Sequence, residues 1–244
     1  MVLNELIQRS PIRIFEQSIN GGLKPGEIGI IASPNGVGKT SVLVQLALDK
    51  LLQGRKVIHV SFTQHVQYVP LWYEDIFDEI INKKNLENTQ DIKNDLIKNR
   101  VLMNFNQDGV SKEQILRSLR AMIVDGGFKA DSIIIDGFDF SRNSAEPSGN
   151  GVNMENVKTF AAELGLNVWY SCSVTEDASK PGAQYDKNNI PFILAGMLNS
   201  IDVVVVLQPK PDHVELSISK DRNANISKSM AMKLDPRTLL ILEA

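Results

Sequence analysis

Short apolar runs alternate with helical patterns along this chain, and the alternation predicts its architecture. "EIGIIAS" (27–33) is an almost unbroken apolar run, as expected of a strand buried on both faces. Over 39–53 the period lengthens: Leu43, Leu46, Ala47 and Leu51 fall on one stripe, and Gly54 supplies a stop. "KVIHVSF" (56–62) predicts a second strand. Two helices are expected within 71–99, the first carrying Trp72, Ile76 and Ile80 four residues apart, followed by a charged, Asn-rich stretch. "RVLMNFN" (100–106) predicts a third strand, and 111–125 a helix in which Ser111 and Gln114 have capping-box spacing. "ADSIIIDGFDF" (130–140) is a fourth strand, 153–164 a helix ended by Gly165, and "NVWYSCS" (167–173) a fifth strand. A further helical stretch leads into "IDVVVVLQP" (201–209). The tail then changes character: "HVELSISK", "KSMAMKLD" and "TLLILE" read as strands separated by turns.

Strand–helix alternation followed by a small antiparallel tail predicts an α/β fold with a mainly parallel central sheet flanked by helices. No Pro/Gly/Ser-rich linker divides the chain, so 1–244 reads as a single domain.

The junction between the first strand and first long helix carries the chemistry. "SPNGVGKT" (33–40) fits the phosphate-loop pattern at Gly38, Lys39 and Thr40, with Ser33 in place of the first glycine. Pro34, Asn35, Gly36, Val37, Gly38, Lys39, Thr40 and Ser41 form the expected cradle. Gly36 and Gly38 let backbone N–H groups turn inward, and the helix points its positive end at the same spot. Lys39 would reach the terminal phosphates and Thr40 would offer its hydroxyl to Mg²⁺. "SIIIDG" delivers Asp136 to a strand end, where it would hold Mg²⁺ through a water. An aspartate there also serves as a turn residue, and its pairing with the loop favours the metal role.

Composition narrows the function classes. The net charge is −3, so no global positive field draws the chain toward nucleic acid or an anionic membrane. The loops 141–151 and 175–189 lack the basic and aromatic pattern of a single-strand track, Tyr185 being a lone platform. A lone cysteine excludes an internal disulfide and fits a cytoplasmic setting. The three histidines are scattered, away from any zinc-ligand spacing. No apolar run has membrane-spanning length, and the start of the chain does not read as a signal peptide.

"INGGLKPGEIGIIASPNGVGKT" (19–40) resembles the start of the RecA-type core in the KaiC, RadA and DnaB-like helicase group, where a "GGL-x-x-G-E" phrase leads into the phosphate-loop strand. "ILAGMLNSIDVVVVLQP" is similar to a later segment of that group, and "LSISKDRNANISKSMAMKLDPRTLLILE" to its C-terminal hairpin with a Lys-x-Arg pair. The resemblance implies a RecA-like P-loop NTPase domain, ATP and Mg²⁺ at the loop, and a homo-oligomer with nucleotide at the subunit boundary. It also implies that Lys220 and Arg222 reach the γ-phosphate of a neighbouring subunit, as a cationic finger does. From the residues alone, "SKDRNANISK" (219–228) is an ordinary solvated turn.

One position departs from that group. Its members carry Glu after the strand matching "VIHVSF", to orient and deprotonate water. Here Thr63 and Gln64 stand there, and neither accepts a proton at neutral pH. Gln64 could still position a water. Glu74 and Asp75 are the nearest carboxylates, and Cys172 reads as a small buried residue. The expected function is ATP binding with slow or absent hydrolysis, in a regulatory or assembly role with an unidentified protein partner. The alternative is an active DNA-dependent ATPase of the helicase or recombinase type.

Overall fold

A computed structural model of the chain describes residues 2–8, 10–63, 67–106, 110–143, 153–175 and 184–244. Gln64 and most of the two long loops lie outside these residues. The described strands are β1 (Ile28–Ser33), β2 (Val57–Ser61), β3 (Arg100–Asn104), β4 (Ser132–Asp136), β5 (Asn167–Ser173), β6 (Val203–Pro209), β7 (Val214–Asp221), β8 (Ala224–Leu234) and β9 (Ile241–Glu243). They form one sheet in the order β3-β2-β4-β5-β1-β6-β7-β8-β9. The first six in that order run parallel, and β6 through β9 pair antiparallel. The predicted α/β architecture is therefore present.

The helices are α1 (Val2–Gln8), α2 (Ile12–Ser18), α3 (Lys39–Leu52), α4 (Val69–Lys84), α5 (Gln90–Lys98), α6 (Lys112–Arg120) and α7 (Met154–Leu164). They cover both faces, which is why β1, β2 and β4 are buried along their whole length. One core gathers α1 to α4 against Ile31, Ile134 and Val205; the other gathers α6 and α7 against Ile30, Ile133 and Val204. Gly29 sits opposite Trp169 on β5, and a Cβ there would meet the indole at 2.4 Å. The missing side chain makes room for the ring, which packs edge-on to Phe15 of α2 at 5.9 Å.

Local chemistry sets the boundaries. Ser111 accepts from Gln114 N while Gln114 Oε1 accepts from Ser111 N, completing the predicted capping box. Past Arg120 that helix continues as a π-helical turn, Ala121–Asp125. Gly165 ends α7 in the left-handed conformation at φ 68°. The helical stretch expected before β6 is instead a short 3₁₀ segment, Phe192–Met197, opened by Pro191. The expected turn at 219–228 is also far tighter: β7 ends at Asp221 and β8 begins at Ala224. Among the described residues no helix is long and apolar enough to cross a membrane.

From β1 the chain departs to one side of the sheet through α3 and β2, and it returns on the other side at β6. An open parallel sheet gathers its ligand groups at the carboxyl ends of strands where such connections diverge. The 33–40 segment lies at that place.

Candidate functional site

β1 is fully buried to Ser33, after which Asn35 and Gly36 emerge into solvent and α3 begins at Lys39. Gly36 and Gly38 take φ of 78° and 112°, backbone that L side chains rarely adopt. Open space surrounds the Cβ position of Gly36, whereas a Cβ on Gly38 would lie 2.3 Å from Leu234 Cδ2. The loop is thus open on its outer side and pressed against β8 on its inner side. The amino end of α3 has no side-chain cap. That leaves the first N–H groups and the positive helix end for an anion.

Lys39 is buried, and its ammonium donates to Ser33 O at 3.1 Å and Pro34 O at 2.8 Å. Burial lowers its pKa, while Cys172 and Asp136 pull the other way. Asp136, at the buried end of β4, accepts from Thr40 Oγ1 at 2.8 Å. These are the two residues expected to hold a metal, and they meet across 96 positions of sequence. A hydroxyl and a carboxylate are hard oxygen donors of the kind Mg²⁺ takes. Ser41, the last residue of the expected cradle, donates instead to Leu239 O, and Gln45 Nε2 reaches the same carbonyl at 2.9 Å. The turn before β9 is thereby fastened to α3. Beside it lies a groove of about 400 Å³ lined by Tyr68, Leu71, Trp72, Asp75, Arg237 and Leu239.

Among the described residues, Thr63 follows β2 at the place where the resembling group carries its Glu. Thr63 Oγ1 lies where a Cβ on Gly137 would come within 2.4 Å, so the hydroxyl packs beside Asp136's successor. At the end of β5 Ser171 Oγ accepts from Gly137 N at 2.8 Å. Glu74 and Asp75 are both exposed on α4. Cys172 is fully buried and its thiol is pushed up to about 12 by burial, so it is no nucleophile. His59, one of the scattered histidines, faces Tyr73 OH at 3.0 Å.

Lys220 and Arg222, the residues expected to form a finger, are both bonded within their own chain. Val203 pairs with Asp221 and Val204 with Lys220, which puts the hairpin turn at the amino edge of the sheet, opposite the loop. Lys220 is buried and its ammonium donates to Ile201 O. Arg222 donates from Nε and Nη2 to Glu27 at 3.0 and 2.7 Å, from Nη1 to Asp221 at 2.5 Å, and to the carbonyls of Ile19 and Gly22 at 2.6 Å each. A guanidinium has five N–H donors, and these bonds use them all.

Comparison with protein-family models and with curated proteins finds no match to this chain. Function must therefore be argued from the site itself.

Proposed function

We propose that this chain is a RecA-like P-loop protein that binds ATP with Mg²⁺ in the 34–41 cradle and turns it over slowly or not at all. The observation that carries the reading is the meeting of Thr40 and Asp136 at 2.8 Å beside a glycine-bearing loop and an uncapped helix end. Gly36 and Gly38 would admit the phosphates, Lys39 would neutralise the terminal ones, and Thr40 and Asp136 would hold the metal, directly and through water. Bound Mg²⁺ would supply charge neutralisation across the phosphates. The groove along Tyr68 and Trp72 begins at Leu239, which is bonded to Ser41, and an aromatic-walled groove there suits a base.

Weak turnover follows from what faces the site. Thr63 has no proton-accepting group, and a positioned base is worth about 10²–10⁴ in rate. Arg222, whose donors are engaged within its own chain, supplies no finger to a phosphate in this reading. In this reading a homo-oligomer with nucleotide at the subunit boundary serves assembly or regulation rather than rapid hydrolysis.

The test is calorimetric titration with ATP and Mg²⁺, run beside phosphate release and mass by light scattering, on wild type and Lys39→Ala. Micromolar binding lost in Lys39→Ala, with negligible phosphate release, supports the reading. Turnover of several per second would overturn its second half, and no binding at millimolar ATP would overturn all of it.

A further inference from the structure

Ser33 stands where the phosphate-loop pattern has its first glycine, and its hydroxyl is not idle. The side chain is fully buried at the end of β1 and donates to Pro34 O at 2.9 Å. With its proton so directed, its lone pairs are left to face Lys39, whose Nζ lies 3.4 Å away. Ser33 O and Pro34 O take the same ammonium at 3.1 and 2.8 Å. An ammonium has three protons, and these three oxygens account for them. Glycine at this position would leave one of the three without its acceptor.

We propose that Ser33 is a positioning residue that acts through Lys39: its hydroxyl holds the ammonium on the strand's own oxygens and competes for it with a bound polyphosphate. The inference rests on the nucleotide reading above and adds a direction to it. Removing the hydroxyl weakens only the arrangement in which Lys39 is turned inward, so it tightens binding of whatever draws Lys39 outward. Burial sharpens the competition. With 8% of Lys39 exposed, water is a poor substitute for any oxygen the ammonium gives up.

The role is tested by calorimetry with ATP, inorganic tripolyphosphate and AMP, each with Mg²⁺, on wild type, Ser33→Ala and Ser33→Gly. Two variants are used because the second restores the pattern's own residue if alanine fails to fold. ATP and tripolyphosphate are expected to bind about three- to tenfold more tightly to the folded variants, the worth of one hydrogen bond to Lys39. AMP is expected to be unchanged, because it lacks the terminal phosphates that Lys39 would reach. A merely structural effect would move all three ligands alike, and that result overturns the proposal. Unchanged or weaker tripolyphosphate binding in both variants overturns it too, with the nucleotide reading left standing. Wild type that takes up neither ATP nor tripolyphosphate overturns both.

Discussion

Arg222 and Glu27 form a two-pronged ion pair, Nε to Oε1 at 3.0 Å and Nη2 to Oε2 at 2.7 Å. Glu27 closes the "GGL-x-x-G-E" phrase and Arg222 closes the Lys-x-Arg pair, so two distant sequence features prove to be two halves of one contact. The turn Asn20–Gly22, with φ of 54°, 94° and 84°, brings the Ile19 and Gly22 carbonyls onto the same guanidinium. Arg222 itself takes φ 52°, a conformation a long side chain adopts at a cost its bonds must offset. Arg222→Ala is expected to destabilise the fold by about 2–3 kcal/mol in urea unfolding, below the figure for a fully buried pair because both side chains keep some solvent contact. Arg222→Lys should recover little of this, since a lysine cannot fork. A loss under 0.5 kcal/mol for Arg222→Ala would show that the contact does not hold the hairpin.

The same pair sets an acid limit. Burial alone would raise the Glu27 pKa, but the bonds from Arg222 and Lys24 outweigh it and leave it lowered from 4.5. A lowered carboxylate contributes stability that is present above 4.5 and is lost as the pH falls through its folded value. Glu27→Gln is therefore expected to be less stable than wild type at pH 7 and to converge on it in acid. Parallel stability curves from pH 7 to pH 3 would contradict this linkage.

The two loop glycines should respond differently to substitution. Both need positive φ, but a Cβ on Gly38 also strikes Leu234 at 2.3 Å, while Gly36 has free space. Gly38→Ala is expected to cost about 2–4 kcal/mol, combining backbone strain with overpacking. Gly36→Ala should cost about 1–2 kcal/mol, the backbone part alone. Shortening the partner in a Gly38→Ala/Leu234→Ala double variant should reveal coupling between the two sites in thermal unfolding. Strict additivity would mean that β8 does not support the loop.

How much of this was legible in the sequence depends on whether a signal is local. The loop and Asp136 were readable because strand, glycines and helix follow one another within a few residues, and the apolar run before Asp136 marks a strand end. The intrachain partners of Arg222 were not legible because most of its acceptors lie about two hundred positions away, and a charged hairpin turn looks the same whether solvated or sequestered. Helices α1 and α2 went unread because each spans seven residues, too few for a periodic pattern to stand out. The groove beside Ser41 joins the start of α4 to the 237–239 turn, which are far apart in sequence. The bond of His59 to Tyr73 was not legible because Tyr73 is on the next helix, not on the histidine's own strand.

Thr63 offers a gain-of-function test. Its hydroxyl packs against Gly137, the residue after Asp136, so a carboxylate introduced there would begin beside the Thr40–Asp136 pair, which holds the metal in the proposed reading. Thr63→Glu is expected to raise phosphate release from ATP about 10- to 100-fold, short of the full value of a well-placed base. The gain should vanish when Lys39→Ala is added. An increase that survives Lys39→Ala would come from a contaminant or another site, and no increase at all would mean that the missing carboxylate is not what limits turnover.

His59 gives the fold a second acid-sensitive point, nearer to the site. It is buried at the centre of β2, bonded to Tyr73 OH at 3.0 Å, with Arg100 stacked on the other ring at 4.1 Å. Burial pushes its pKa down to about 4 from 6.5, with Asp136 opposing and Arg100 adding to the shift. The unfolded chain therefore takes up a proton that the folded chain refuses. Stability is full above 6.5 and falls as the pH drops from there toward about 4, at up to about 1.4 kcal/mol per pH unit. His59→Gln keeps a polar group for Tyr73 and removes the titration, so its stability should be flatter over this window. Urea midpoints for the two proteins between pH 7 and pH 4 decide the matter: if the difference between them stays constant, His59 is not the group that titrates.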